Sequence, residues 1–367
     1  MKTKTVVTLL IILALLAGSG VLILHFQDQD SPSGEMGAFL IEQLPANEIA
    51  SITIDRPGDS VSMTKEGDLW VVKDRFGYPA DFSKISDLAK TLKRVKVGRK
   101  FGPSDDLKKR LALKSPDDTG APESERGTRV RLKDGAGNTL VDILLGKTRT
   151  RGGENRSPDG QYVMLANDPD IFLVGTPFSS FEVGPSAWLE KELVKVTAED
   201  VKKIVSFGPN QGEKRFILER PEKGKDFELL RPSTDKKTEK SALNRLAGAL
   251  SSLRAEDISN PSAPPESVSP KLSPRLDYYL YNGMIYHVFP GKPCSETDPC
   301  YLRLRVDYQK GPATEKEVEE DAARAKRQDL RLSPWVFEIP RWQHKDFLTD
   351  MDQLPAKDEQ KGTKGRN

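Results

Sequence analysis

With 57 Lys and Arg against 55 Asp and Glu, the 367-residue chain carries a formal charge of only +2. That field is too weak to gather nucleic acid, and no RNP, zinc-finger or helix-turn-helix pattern is present, so nucleic acid is excluded as a partner. A charged fraction of 31% beside a hydrophobic fraction of 36% describes a heavily solvated body, long enough for two ordinary domains.

The chain opens MKTK and runs into VVTLLIILALLAGSGVLIL, Val6 to Leu24, without a charge. At about 1.5 Å per residue such a helix spans close to the roughly 30 Å hydrocarbon core, so residues 1–26 are expected to be a single transmembrane anchor bounded by Val6 and Leu24. A cleaved signal peptide is the competing reading, with its small residues at Ala17-Gly18-Ser19-Gly20. The further apolar block Val21 to Leu24 favours retention, and no cysteine follows that could take a lipoprotein cut. Lys2 and Lys4 precede the run, while Asp28, Asp30 and Glu35 follow it. The positive-inside tendency places the N-terminus in the cytoplasm and the remainder in the extracytoplasmic or periplasmic space of a bacterial inner membrane. His25 reads as a solvated residue at the interface, and residues 27–38 as a flexible tether.

Beyond the tether the pattern occurs twice. The first copy, residues 39–196, begins NEIASITI (Asn47–Ile54) and continues VSMTKEGDLWVV (Val61–Val72) around the turn-like Lys65-Glu66-Gly67-Asp68. A helix follows, with Ile85, Leu88, Ala89, Leu92 and Val95 on one face and Asp81 or Ser83 able to cap it. Strand-like runs then cover Thr128–Leu132, Thr139–Lys147, Gln161–Asp168 and Asp170–Val183. The second copy, residues 197–351, repeats the order: Glu199–Phe207, Arg215–Leu230, then a helix carrying Leu243, Leu246, Ala247, Leu250 and Leu253. Leu276–Lys292 contains the hairpin signal Asn282-Gly283, and Cys300–Tyr308 and Trp335–Leu348 complete the copy. Strand runs around one long helix per copy predict an α+β fold of two duplicated modules with largely antiparallel sheets. Ala313–Leu332 is an insertion, polar all round, expected as an exposed helix; the tail 352–367 is expected to be disordered.

The only two cysteines, Cys294 and Cys300, fall in GKPCSETDPCYLRL, the loop after the "GK" strand of the second copy. The same place in the first copy holds TRTRGGENRSPDG (Thr148–Gly160). Outside the cytoplasm a disulfide is the expected state, contributing roughly 2 kcal/mol by closing a short loop. Free thiols, and metal or redox use with His287 as the only nearby histidine, are the alternatives.

Catalytic signals are sparse. His25, His287 and His344 stand in no nucleophile-elbow, metalloprotease or P-loop context, and His344 falls in a segment read as solvated. KDGAGNTL contains G-x-G but joins two strands, which makes it a turn. Asp105-Asp106 and Asp117-Asp118 read as solvated loop carboxylates. Arg149, Arg151 and Arg156 could meet an anionic partner or lipid headgroups, although a solvated loop is the default. No catalytic, cofactor-binding or metal residue is assigned, and no cofactor is expected.

The anchor, IASITI…DLWVV, the helix, SDDLKKRLALKSP, LLGK, QYVML, IFLV and AWLEKEL together resemble the bacterial family known as domain of unknown function 4340. Where that family tends to carry Tyr-Gly-Leu before an acidic-Pro turn, this chain has Leu111-Ala112-Leu113 and then Lys114-Ser115-Pro116. The resemblance implies an envelope protein with repeated α+β modules, an auxiliary component of gliding-motility-type ABC transport systems, and it brings no catalytic residues. The function expected is therefore a non-enzymatic, membrane-anchored extracytoplasmic binding or scaffolding module. Its expected partners are the cytoplasmic membrane and ABC transporter subunits or other envelope proteins. An envelope enzyme acting on cell-wall material between the two copies, and a purely structural spacer, are the alternatives.

Overall fold

A computed structural model describes residues 36–150, 158–209, 213–232, 239–269, 273–311 and 314–349. The chain forms two compact units, Met1–Lys65 with Ser83–Gly184, and Glu66–Phe82 with Pro185–Asn367.

In the first unit lie β1 (Ile49–Arg56), β2 (Asp59–Glu66), α1 (Phe82–Arg94), β5 (Val97–Phe101), α2 (Asp105–Arg110), β6 (Thr128–Asp134), β7 (Thr139–Thr150), β8 (Pro158–Leu165) and β9 (Ile171–Val174). Its strands run β2-β1-β6-β7-β8-β9-β5. In the second unit lie β3 (Leu69–Val72), β4 (Tyr78–Pro79), β10 (Val201–Phe207), β11 (Lys214–Glu219), β12 (Glu228–Arg231), α3 (Lys240–Gly248) and β13 (Asp257–Ser259). It continues through β14 (Arg275–Leu280), β15 (Met284–Pro290), β16 (Cys300–Tyr308), α4 (Glu315–Leu332), β17 (Val336–Ile339) and α5 (Arg341–Phe347). There the sheet runs β12-β11-β10-β14-β15-β16-β17-β13.

The expected α+β class is corrected by this architecture. The described body is mostly antiparallel sheet with few helices, and three of its five α-helices are shorter than ten residues. Strands dominate, because each unit sets one core helix against a paired run of seven or eight strands. The helix expected at Val6–Leu24 lies outside the described residues, and no helix among the described residues is long and apolar enough to cross a membrane.

The core follows from alternation. Ile52, Ile54, Val130, Leu132 and Ile143 are fully buried in the first unit, as are Ile204, Phe216, Leu218, Tyr278, Val288 and Leu304 in the second. α1 buries Ile85, Leu88, Ala89 and Leu92, a single face at i, i+3, i+4 and i+7. α3 buries Ala242, Leu243, Leu246 and Ala247 but stops at Gly248, so Leu250 and Leu253 are buried from the turn beyond it. The Tyr278 hydroxyl donates to the Leu246 carbonyl at 3.1 Å, which fastens α3 to β14. In the second unit Tyr78 sits edge-on to Trp335, with centroids 5.1 Å apart, and its hydroxyl donates to the Glu190 carbonyl. The insertion folds as α4, opened by a Thr314–Glu317 capping box and burying only Ala325 and Leu332. The Asp329 carboxylate on this helix accepts from the Val306 amide of β16 at 2.9 Å.

Two irregularities recur at matching positions. β1 is bulged against β6 between Ile49 and Ser51, and β10 against β14 between Val201 and Lys203. Each "GK" is a backbone crossing. The Lys147 amide donates to the Leu111 carbonyl at 2.8 Å, and the Lys292 amide to the Ser267 carbonyl at 3.1 Å. A Cβ on Gly146 would lie 2.3 Å from the Leu111 oxygen, so only glycine lets the strap at Leu111 cross β7.

Candidate functional site

On β14, β15 and β16 one face is apolar and buried, while the other carries Arg275 and Asp277, then His287 and Phe289, then Arg303, Arg305 and Asp307. Register sets these side chains beside one another: Asp277 pairs with His287, His287 with Arg305, and Phe289 with Arg303. The His287 Nδ1 lies 2.6 Å from the Asp277 carboxylate and its Nε2 3.2 Å from that of Asp307. Carboxylates only accept, so the ring makes both bonds at once when it carries both protons. The Arg275 Nε stands 3.0 Å from Asp277, and its guanidinium covers the Phe207 ring at 4.1 Å.

Asp277 is only 2% exposed, and a carboxylate so buried is tolerable because a guanidinium and an imidazole face it. Above this ion-paired floor lies a cavity of about 350 Å³ lined by Val268, Arg275, His287, Phe289, Arg303, Arg305 and Asp307. Three guanidiniums line it against one lining carboxylate. Such a set can grip a carboxylate or phosphate group through forked, charge-assisted hydrogen bonds, and Phe289 and Val268 supply an apolar wall.

The matching face of the first unit is closed by its own ion pairs. Arg129 holds Asp142 with two bonds, at 2.8 and 2.6 Å, and Arg131 holds Asp55 at 2.6 Å. The larger groove of that unit, about 730 Å³, is lined by residues 38–42, the start of β7 and the turn between β8 and β9. Asp142, Asp168 and Glu42 are its only charged lining groups, so it offers no cation to an anionic ligand.

Cys294 and Cys300 are bonded to each other in the loop entering β16. His344, expected in solvated chain, is instead only 1% exposed on α5. Its Nδ1 lies 3.8 Å from the Cys294 sulfur, and its Nε2 has no hydrogen-bond partner. Burial pushes the imidazole down to about 4, against a smaller opposing effect of the Tyr301 backbone.

Val6 and Leu24 lie outside the described residues, as do His25, Arg151 and Arg156. Arg149 is held in a fork by Asp159 at 2.9 and 3.1 Å. Asp105 and Asp106 open α2 behind the Ser104 cap, Asp117 lies 4.0 Å from Arg129, and Asp118 accepts from the Gly120 amide. The Asp134 carboxylate accepts from the amides of Ala136 and Asn138, so KDGAGN is a turn. The sequence reading missed the Arg275–Asp277–His287–Asp307 cluster. The available signal was period-2 charge in "RLDYY", "YHVF" and "LRLRVD", which becomes a site only once register aligns the three strands.

Fold and site define a mostly antiparallel, two-unit protein with a repeated sheet plan, one of whose outer faces carries an ion-paired basic pocket. Residues 70–270, more than half of the chain, match the family described as Domain of unknown function (DUF4340), and the chain belongs to that family. No curated protein and no solved structure matches it.

Proposed function

We propose that this protein is a non-enzymatic extracytoplasmic binding or scaffolding module, an auxiliary component of an ABC-type transport or envelope system. The pocket over β14–β16 is the surface that takes an anionic group of the partner. The observation that carries the reading is the set Arg275, Arg303 and Arg305 gathered around His287 over a buried carboxylate. Each guanidinium can present two parallel donors to a carboxylate or phosphate, which suits recognition. The Cys294–Cys300 bond supports a location on the outer side of the cytoplasmic membrane, where disulfides persist. Resemblance supports the transport association.

Capture from detergent-solubilised membranes tests it, with the native chain and an Arg303→Glu, Arg305→Glu variant compared side by side. The native chain is expected to recover transporter or envelope subunits that the variant loses. Recovery of the same subunits by both would remove the pocket from the reading, and recovery of none would favour a structural spacer.

A further inference from the structure

The disulfide loop and the buried His344 form a second constellation of the second unit. We propose that, once the disulfide is reduced, Cys294, Cys300 and His344 hold a soft, closed-shell metal ion such as Cu⁺ or Zn²⁺. Their ligand atoms already lie within 4.8 Å of one another. The Nδ1 to Cys294 sulfur separation is 3.8 Å. Nitrogen and sulfur bound to one metal at about 2.0 and 2.3 Å, with a bond angle of 109–120°, stand about 3.5–3.7 Å apart, a tenth of an ångström or more closer than here. The imidazole, now in a weak N–H···S contact with the disulfide, is thus placed where it can become a co-ligand of the sulfur.

Two of the three ligands sit on rigid elements. Cys300 is the first residue of β16, paired with Ile339 of β17, and His344 is carried by α5. Cys294 is half-buried, and the residues between the cysteines, 295–299, are exposed. This side of the loop can open by the ångström or two that a bridging metal needs between its sulfurs. A second observation points the same way. His344 is 1% exposed, with the Tyr301 backbone beside it, and its Nδ1 faces the Cys294 sulfur directly. A buried imidazole held neutral keeps a lone pair for a metal, and its Nδ1 is the ring atom turned to the sulfurs. Two thiolates and one imidazole suit Cu⁺ as a three-coordinate ion, and Zn²⁺ with one added water.

The chemistry balances with a dithiol reductant. Two electrons and two protons convert the disulfide to two thiols while the reductant's own dithiol closes to a disulfide. Attack falls on the Cys294 sulfur, because Cys300 is only 5% exposed. Metal binding then displaces the two thiol protons to solvent, and the neutral ring contributes a lone pair.

The test uses purified full-length protein, oxidised or reduced with a phosphine, and titrated separately with Zn²⁺, with Cu⁺ and with Co²⁺ as a spectroscopic probe. Reduced native protein is expected to bind one equivalent of Zn²⁺ or Cu⁺ and to show a thiolate-to-cobalt charge-transfer band. The oxidised form and the Cys294→Ser, Cys300→Ser variant are expected to bind none. His344→Ala is expected to lower affinity at least tenfold and to shift the cobalt spectrum; His344→Gln, nearer in volume, replaces it if the alanine variant fails to fold, as judged by circular dichroism. Reduced native protein binding neither Zn²⁺ nor Cu⁺, or a folded His344 variant with native affinity and spectrum, would overturn the proposal. Neither result depends on whether the basic pocket captures a partner.

Discussion

Asp142 of β7 and His287 of β15 occupy one register position in two sheets of the same plan. Asp142 stands opposite Arg131 on β6, and His287 stands opposite Asp277 on β14. The sign of the charge is reversed across the pair. In the first unit the carboxylate is on the later strand and is clasped by Arg129. In the second it is on the earlier strand, deeper, and is shared by Arg275 and His287. One backbone plan therefore carries a closed ion-pair net in one copy and a basic pocket in the other.

This difference predicts unequal costs. Asp277→Ala leaves an imidazole and a guanidinium, 18% and 23% exposed, facing an emptied buried site. It should destabilise by about 2–4 kcal/mol. Asp142→Ala releases Arg129, which is 28% exposed and has Asp117 in reach, and should cost about 1–2 kcal/mol. Urea unfolding of both variants measures the difference. A loss at Asp277 no larger than that at Asp142 would contradict the reading of a buried, shared carboxylate.

Ala112 holds φ at 54°, in the left-handed region that favours glycine. A left-handed alanine costs roughly 1–2 kcal/mol, while a glycine there adds about 0.4–1 kcal/mol of unfolded-chain entropy. Ala112→Gly is therefore expected to stabilise by about 0.5–1 kcal/mol, seen as a rise in the urea midpoint with an unchanged slope. A lower midpoint would mean that the lost methyl contacts outweigh the backbone strain.

The two "GK" crossings should respond unequally to alanine. At Gly146 the added Cβ meets the Leu111 carbonyl at 2.3 Å and the Leu113 side chain at 2.8 Å, so the strap or β7 must move. At Gly291 the nearest atoms are 3.2 Å away, a few tenths of an ångström too close. Gly146→Ala should cost about 2–3 kcal/mol or more, and Gly291→Ala about 1 kcal/mol or less. Thermal melts of the two single variants rank them; the reverse order would show that the crossings are not built as described.

Much of the strand order was legible in the sequence because short β-branched and aromatic runs such as Ile49–Ile54 and Val201–Phe207 are bounded by turns, and Asn282-Gly283 closes a hairpin in place. The Cys294–Cys300 bond was legible for a different reason, the expected extracytoplasmic side of the membrane for the only two cysteines. The fold class was misjudged because the α1 pattern is strong locally, and one amphipathic helix weighs more in a linear reading than seven short strands. The end of α3 was misplaced because Leu250 and Leu253 keep helical spacing while buried from a turn. His344 looked solvated between Gln343 and Lys345, yet α5 turns Gln343 and His344 inward together. No local pattern records that, since it depends on where the helix lands. The basic pocket was hidden likewise, its charges drawn from three successive strands between Arg275 and Tyr308.

His344 supplies a pH dependence whose sign can be worked out. In the disulfide-bonded protein burial holds the ring down to about 4 from an ordinary 6.5. Between those values the unfolded chain binds a proton that the folded chain refuses, so stability is full above about pH 6.5 and falls as the pH drops towards 4. At about 1.4 kcal/mol per unit the loss is at most roughly 3 kcal/mol. The neighbouring Asp346 works in the opposite direction: burial raises its carboxyl, so its folded form takes up a proton more readily. Comparing native protein with His344→Gln cancels that contribution, since Asp346 is present in both. Unfolding free energies at several points between pH 4.5 and 7.5 should fall more steeply with acid for the native chain than for the variant. Parallel curves would mean that the imidazole is hydrated in the folded state and that α5 does not seal it from water.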